Sequence, residues 1–332
     1  MGLRLYLVKR LLVAVVLFVT VLIFNFFLFR LPIFVLGMDP MSLYTTPDME
    51  AETVARLREI YGIPSRDAGF WAWFDHFILY VKNMLTLEFG QSFVSFNPVI
   101  NDIMSRMPNT IMLMGVSTVL MIVVGVITGI IAASRYGSKI DTGLITIGLS
   151  LYSFPIFFIG MLLLLVFGFY IPLFPIGHSI SWPLPPDPIS YAIDYGWHMF
   201  LPTVTLTLGF FGGYMLLMRN TLVEVLVEDY ILTARAKGLQ ERTVIFKHGL
   251  RNAFLPLITV IAISFAFIVS GAVLTETVFA WFGMGRLLYQ SLLSYDWPVS
   301  QAIFWMIAVS VISANIIADL LYGVLDPRIK YG

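Results

Sequence analysis

The chain has 332 residues, of which 59% are hydrophobic and only 12% are charged, and its formal net charge at neutral pH is zero. A soluble domain has about a quarter of its residues charged, so this composition excludes an ordinary soluble protein and predicts an integral membrane protein. Zero net charge gives no electrostatic reason to expect nucleic-acid binding. The chain has no cysteine, which excludes disulfides and thiolate metal sites.

The first predicted element is a membrane helix near the start of the chain. A short basic stretch, MGLRLYLVKR, precedes the uncharged run 11–29. This run is longer than the apolar region of a signal peptide, and no small-residue cleavage site follows it, so we expect a retained helix. Residues 1–30 are therefore assigned to a cytoplasmic N-terminus and first transmembrane helix, residues 31–107 to an external region, and residues 108–332 to a five-helix membrane core.

The external region contains two predicted helices. The segment TTPDMEAETVARLREIYGIP indicates a capped helix that ends at Gly62 and Pro64. The segment FWAWFDHFILYVKNML brings Trp71, Trp73, Phe74, Phe77 and Tyr80 close together, which favours either a helix lying at the lipid interface or a small hydrophobic core within this region. The spacing alone leaves both alternatives open.

Five further apolar runs follow, and each is long enough to cross a bilayer at about 20 residues per crossing. They cover residues 111–134, 144–171, 199–218, 253–275 and 297–318. The chain is therefore predicted to contain six transmembrane helices. Glycine pairs at Gly125 and Gly129, and at Gly209 and Gly213, have the small-xxx-small spacing that lets membrane helices approach closely.

The distribution of basic residues predicts the orientation. Most lysines and arginines outside the long external region fall at the two ends of the chain and within residues 219–252. Because cytoplasmic loops are enriched in basic residues, we expect both termini and the 219–252 loop to be cytoplasmic, in a multi-pass protein of the cell membrane.

The loop at residues 219–252 has mixed charge and the pattern of two helices separated by a break. Glu228 and Asp229 suit a helix N-terminus, and Gly238 suits a left-handed helix end. In the second helix an apolar stripe lies on one face at Leu239, Thr243, Phe246 and Leu250. This stripe either docks in a groove of a partner or packs on the chain itself, and both alternatives remain open.

Motifs for chemistry are absent from the sequence. The chain has no Gly-Lys pair for a phosphate-binding loop, no HExxH and no GxSxG, so we expect no catalytic residue, no metal site and no enzyme activity. The apolar runs contain no charged residue in their interiors. This argues against a secondary carrier, which couples transport to an ion gradient, and favours a transporter driven by ATP. An intramembrane hydrolase is disfavoured because the spans have neither paired acids nor a nucleophile with a base.

The segment ARAKGLQERTVIFKHGLRNAFLPLIT resembles the cytoplasmic loop of permease subunits of bacterial and archaeal ABC importers, most closely the dipeptide and oligopeptide branch. Nearly the whole chain agrees in motif order, through LEFGQSF, SFPIFFIG, ETVFAWFGMGRLL, YDWPV and NIIADLLYGVLDPRIK. The long external region after the first helix is similar to that of the B-type permease of such systems.

This resemblance implies an all-α membrane protein with six transmembrane helices of the type I importer kind. It implies a half-channel that pairs with a second permease subunit, two cytoplasmic ATPase subunits and an external solute-binding protein, all within membrane lipid. ATP and magnesium would bind the ATPases, and this chain would hold no cofactor. Short peptides are the implied cargo, with oligosaccharides or nickel as alternatives.

Site residues are transferred by position from the resemblance. Ala234, Gly238, Leu255 and Pro256 match the family signature, although Leu232 and Thr233 stand where the general pattern has Glu and Ala. The expected ATPase-coupling residues are Ala234, Arg235, Lys237, Gly238, Leu239, Phe246, Leu255 and Pro256. An external gate or docking role is expected of Glu276, Phe279, Trp281, Gly283, Gly285 and Asp296, with simple loop packing as the alternative.

Overall fold

The computed structural model describes residues 3–36, 52 and 69–325, and within these ranges every regular element is a helix. In chain order the helices are α1 (Leu3–Leu36), α2 (Phe70–Thr86), α3 (Val99–Ser134), α4 (Lys139–Ser153), α5 (Ile156–Leu164), α6 (Pro188–Val225), α7 (Asp229–Ala236), α8 (Glu241–Thr243), α9 (Leu250–Ala266), α10 (Val273–Val278), α11 (Met284–Leu293) and α12 (Trp297–Leu325). Turns of π-helix follow α5 and α8, at Leu165–Tyr170 and Val244–Gly249, and a 3-10 turn, Phe267–Ser270, follows α9. The predicted all-α class is confirmed.

Five helical segments in the described part are long and apolar enough to cross a membrane. They are Val8–Arg30, Val99–Ser134, Pro188–Val225, Glu241–Val269 and Trp297–Ile317. A sixth crossing is obtained when the pair Lys139–Ser153 and Ile156–Tyr170 is counted as one broken span, bent by 96°. The predicted count of six is thus reached only with this bent pair.

The run 144–171 is divided between two helices and does not form one continuous helix. Helix α4 ends at Ser153, and Phe154 has extended backbone angles (φ −76°, ψ 142°) before Pro155 and the start of α5. Proline has no amide hydrogen to donate and disfavours the helical conformation of the preceding residue, so the chain breaks at this point. Because the whole run 144–171 is apolar, its hydropathy gives no signal of this break.

The described residues form two compact units. Asn109–Phe282 make one unit, which contains most of α3 together with α4 to α10, and the described residues before Asn109 and from Gly283 onwards make the other. The second of these contains α1, α2, α11 and α12, and α1 packs along α12.

Glycines set the closest helix contacts in the Asn109–Phe282 unit. A Cβ added at Gly125 would lie 2.5 Å from the Cβ of Tyr214, and one at Gly129 would lie 2.7 Å from the Met215 carbonyl oxygen, so α3 lies directly against α6. Helix α6 also approaches the backbone of α4 closely at Gly212, where an added Cβ would lie 2.4 Å from the carbonyl oxygen of Gly148. The glycines therefore serve helix packing.

Polar contacts join α1, α2 and α12 in the other unit. Asn25 donates to the Gln301 carbonyl (3.1 Å), and Arg30 donates from NH1 to Gln301 Oε1 (3.0 Å) and from Nε to His76 Nε2 (3.3 Å). The Arg30 guanidinium also lies over the Phe26 ring at 5.5 Å. These bonds tie α2 to the end of the first membrane helix.

The side chains of the aromatic segment lie on a buried face and an exposed face of α2, and a position at the lipid interface stays a prediction. Trp73, Tyr80 and Met84 are buried, whereas Phe70 and Trp71 are each 74% exposed. An amphipathic helix with exposed aromatic rings suits the lipid interface. The other predicted helix of this region, which ends at Gly62, lies outside the described residues.

Candidate functional site: the 226–252 segment

The segment 226–252 begins with α7 and a glycine turn. Glu228 occupies the N-cap position with extended backbone angles, and Asp229 lies in the first turn, where a carboxylate is stabilised by the helix dipole. Gly238 has a φ of +74°, in the left-handed region, and no atom lies within 4 Å of where its Cβ would stand. Glycine is therefore required here by backbone conformation, not by crowding. The predicted first helix and turn match the structure.

The second predicted helix is not a separate short element. Helix α8 continues through the π-helical turn Val244–Gly249 into α9, and the residues at the junctions, Val244 and Leu250, keep right-handed helical angles. The chain is thus helical from Glu241 to Ala266. The backbone of α8 is therefore continuous with a candidate membrane span.

The inner face of the segment packs on the end of α6. Ile231, Val244 and Leu250 are buried in one cluster with Met218 and Leu222. Ala234, one of the expected coupling residues, is buried in the same cluster, and Leu226 at the end of α6 completes it. Apolar contact therefore joins α7, the π-helical turn and the start of α9 to α6.

Hydrogen bonds close the turn on its polar side. Arg235 donates from NH2 to Glu241 Oε1 (2.7 Å) and from Nε to Glu241 Oε2 (3.2 Å), and its NH1 reaches the Leu226 carbonyl (3.3 Å). The hydrogen bond to Glu241 raises the pKa of Arg235 above its usual value. Further along, Asn252 donates to the hydroxyl of Tyr230 (2.7 Å). The two helical pieces are therefore fixed relative to each other.

The outer face of the segment presents apolar and basic side chains, and we call it the coupling surface. Val227 is 72% exposed and Phe246 is 62% exposed. The other exposed members are Leu232, Leu239, Lys237, Arg242, Lys247 and Arg251. Such a surface, with apolar centres among charges, is typical of one that binds a soluble protein.

The four residues of the predicted apolar stripe differ in burial, so only part of the stripe packs on the chain itself. Leu239 and Phe246 are exposed, Thr243 is half-buried, and Leu250 is buried in the chain's own core. Leu255 and Pro256, which match the family signature, lie on exposed positions of α9. Their coupling role stays a prediction.

A second ionic contact stabilises the end of α6, and it was not predicted from the sequence. Arg219 donates from NH2 to Asp141 Oδ2 (2.8 Å) and from Nε to Asp141 Oδ1 (3.1 Å), and it lies over the Tyr136 ring at 4.8 Å. The Asp141 carboxylate also accepts from the Gly137 amide (2.9 Å). The two partners are far apart in the sequence, so no local pattern reveals the pair.

The residues expected at an external gate are buried. In the Asn109–Phe282 unit, Trp281 packs with Leu113 and Leu206, and Glu276 Oε1 accepts a hydrogen bond from the Thr110 hydroxyl (3.0 Å). Phe279 is 2% exposed. These side chains hold the segment 272–282 in place, and a docking surface there would consist of exposed neighbours such as Phe282. The gate role stays a prediction.

The remaining three expected gate residues belong to the other unit and are also buried. Gly283 and Gly285 flank the start of α11. Asp296 accepts from the Phe93 amide (3.1 Å) and from the Ser92 hydroxyl, and burial raises the pKa of its carboxyl. The Asp296 side chain therefore fixes the residues before α12 to the segment that follows α2.

Helix α6 separates the coupling surface from the Trp281 region. Leu222, beneath the coupling surface, and Tyr195, whose ring lies 5.2 Å from that of Trp281, are about 40 Å apart along the helix at 1.5 Å per residue. The hydrocarbon core of a bilayer is about 30 Å thick, so α6 is long enough to cross it between the two sites.

Two families cover nearly the whole chain. The family described as binding-protein-dependent transport system inner membrane component matches residues 125–331, and the family of the corresponding N-terminal region matches residues 3–114.

Full-length relatives agree with this match. The oligopeptide transport system permease protein AppB of Bacillus subtilis (strain 168) is 33% identical over 327 residues, which cover 98% of this chain and 99% of the relative. The glutathione transport system permease protein GsiC of Escherichia coli (strain K12) is 35% identical over 328 residues, with the same coverage.

A solved structure shows the same fold. An inward-facing conformation of the MetNI methionine ABC transporter aligns with a TM-score of 0.54 at 17% identity, covering 69% of this chain and 99% of the matched chain. With the family matches on both parts of the sequence, the chain belongs to the inner membrane components of binding-protein-dependent transport systems.

Proposed function

We propose that this chain is the permease subunit that forms one half of the translocation path of an ATP-driven importer of short peptides. An external solute-binding protein delivers the cargo. Relatives named as oligopeptide and glutathione permeases, each about one-third identical over nearly the full length, support peptides as the cargo class. Oligosaccharides and nickel are the competing cargo classes, and the assay must include them.

The observation that best supports this function is the double attachment of the coupling surface. Its inner side chains are buried against Met218 and Leu222 of α6, and its backbone continues into α9. A soluble protein that pushes on Val227 or Phe246 therefore moves two long helices together. This arrangement is what a mechanical link between an ATPase and a membrane path requires.

The mechanism follows from that link. Two cytoplasmic ATPases bind ATP with magnesium, and one of them receives the coupling surface of this chain. A second permease subunit presents a similar loop to the other ATPase. When the ATPases close on ATP, the loop moves as a rigid body with α6 and α9, and the path changes its access from one side of the membrane to the other. This chain contributes no catalytic group and no cofactor site.

The orientation follows from the position of the basic residues. With the coupling surface in the cytoplasm, both termini are cytoplasmic and the external region lies outside the cell membrane, in agreement with the bias of lysine and arginine. The region of Tyr195 and Trp281 is then external. In this arrangement the segment that includes Glu276 and Trp281 forms part of the external gate.

Co-purification tests the coupling surface directly. The variant Phe246→Glu puts a charge on a large exposed apolar side chain of the coupling surface, and we expect it to reduce the amount of co-purified ATPase by roughly 10-fold or more, as for an aromatic hot-spot residue of an interface. The variant Phe70→Glu is the matched control, because Phe70 is at least as exposed and lies in the other unit. Equal ATPase recovery from both variants would contradict the proposed coupling role.

A further inference from the structure

One asparagine connects three parts of the Asn109–Phe282 unit at the end opposite the coupling surface. Asn109 Nδ2 donates to the Phe282 carbonyl (2.7 Å), and its Oδ1 accepts from the Tyr195 hydroxyl (3.0 Å). The backbone oxygen of Asn109 accepts from Trp281 Nε1 (3.1 Å). We call Asn109, Tyr195, Trp281 and Phe282 the outer clasp.

Neighbouring bonds enclose the outer clasp. Thr110, the next residue after Asn109, donates to Glu276 (3.0 Å), and the Phe282 amide donates to the Ser179 hydroxyl (2.9 Å). The His178 amide donates to the Phe279 carbonyl (3.1 Å). The start of this unit, the loop at 177–179, helix α6 and the segment 272–282 are thus all bonded together at one place.

The chemistry of the side chain explains why asparagine stands at the centre. Its amide both donates and accepts, so it can bond a carbonyl and a hydroxyl at the same time. An aspartate would accept from Tyr195 but could not donate to the Phe282 carbonyl, and an alanine would do neither. Trp281 is fully buried, so its indole N–H also depends on the Asn109 carbonyl for a partner.

We propose that Asn109 is a positioning residue that keeps the external end of this unit closed until the loaded binding protein docks and ATP is bound. This inference rests on the proposed function, and in it the outer clasp regulates the opening of the external end. The outer clasp joins the start of this unit to Tyr195 of α6 and to the end of the segment 272–282, so α6 can move relative to the start of the unit only if these bonds break. Weakening the outer clasp should therefore let the transporter reach the open, ATP-bound form without the binding protein.

The test uses the complete transporter, with its second permease and both ATPases, in proteoliposomes. We expect Asn109→Ala to raise ATP hydrolysis without the binding protein by about 3- to 10-fold, the factor expected for losing one or two hydrogen bonds. The stimulation by loaded binding protein should fall in the same variant. Tyr195→Phe removes only one bond and should produce a smaller rise in the same direction.

Two controls separate positioning from general damage. Asn101→Ala changes an exposed asparagine of the same helix and should leave the basal rate unchanged. The double variant with Asn109→Ala and Tyr195→Phe should have the basal rate of Asn109→Ala alone, because the bond between the two side chains is already lost. If Asn109→Ala assembles poorly, Tyr195→Phe alone supplies the result.

The outcomes are distinguishable. A lower melting temperature with an unchanged basal rate in both clasp variants would overturn the inference and leave Asn109 a structural role only, while the proposed function would stand. A wild-type complex that no loaded binding protein stimulates would contradict the proposed function, and the inference would fall with it.

Discussion

Arg235 and Glu241 face each other across the Gly238 turn, with the guanidinium NH2 2.7 Å from Oε1 and Nε 3.2 Å from Oε2. Their side chains are 38% and 55% exposed, so water screens the attraction and the pair contributes at most about 1 kcal/mol to stability. Its importance is geometric, because two parallel hydrogen bonds fix the angle between α7 and α8.

The variant Arg235→Lys keeps the positive charge but loses the two-pronged geometry. We expect the melting temperature to change little and the stimulation of the ATPases by loaded binding protein to fall several-fold. Exchanging the two residues, with Arg235→Glu and Glu241→Arg together, should restore part of the stimulation. Full stimulation in Arg235→Lys would show that the angle between the two helices is not important for coupling.

Gly238 provides a second test of the same turn. The variant Gly238→Val forces a β-branched residue into the left-handed region, at a cost of about 1–3 kcal/mol, and should abolish coupling between ATP hydrolysis and transport. Gly238→Asn is the matched control, since asparagine tolerates this conformation and no atom lies within 4 Å of the added Cβ. If both variants transport equally well, the turn is not required.

Gly212 tests the packing of α6 on α4. A Cβ at this position would lie 2.4 Å from the Gly148 carbonyl oxygen, so Gly212→Ala should lower stability by about 1–3 kcal/mol, as overpacking does. Gly196→Ala is on the same helix with open space around it and should not destabilise. Thermal melting of both variants in detergent measures the difference, and equal melting temperatures would contradict the close approach.

The hydrogen bond between His76 of α2 and Arg30 of α1 should make the attachment of these two helices depend on pH. Burial and the charge of Arg30 lower the pKa of His76 from 6.5 to about 4, so the ring is neutral when it accepts from Arg30 Nε. The folded state binds this proton less readily than the unfolded state. The stability from the neutral ring is therefore complete above pH 6.5 and is lost as the pH falls from 6.5 towards 4, by up to about 1.4 kcal/mol per pH unit.

Melting curves between about pH 8 and pH 4 check this prediction. The wild-type protein should lose stability through the window from pH 6.5 to 4. The variant His76→Gln keeps a hydrogen-bond acceptor for Arg30 without a titrating ring, so its decline should be shallower. Parallel declines in the two proteins would show that His76 is not responsible.

The membrane spans were predictable because hydropathy is a local property of the sequence. Four of the six long uncharged runs, 11–29, 111–134, 199–218 and 297–318, each lie within one helix. The run 144–171 is broken at Phe154, and the run 253–275 extends past the end of α9 at Ala266. Helix limits were less predictable. Helix α3 begins at Val99, well before the apolar run 111–134, because a helix can continue into polar surroundings where hydropathy gives no signal.

The site was predictable where it depended on local conformation. Gly238 and the acidic start of α7 follow from backbone and dipole rules that act within one turn. The Arg219–Asp141 pair and the burial of Glu276 beside Thr110 depend on contacts between distant segments, which no spacing in the sequence reveals. The hydrogen bonds of the outer clasp around Asn109 also join segments that are distant in the sequence, so the sequence did not predict them.

The most direct test of the account is ATP hydrolysis by the assembled transporter with its binding protein, loaded in turn with short peptides, oligosaccharides and nickel, and also unloaded. The account predicts that the peptide-loaded form stimulates hydrolysis well above the unloaded form and that the other two cargo classes do not. Stimulation by oligosaccharide or nickel alone would contradict the peptide assignment. No stimulation by any loaded form, with folded ATPases present in the complex, would contradict the role of this chain as an import permease.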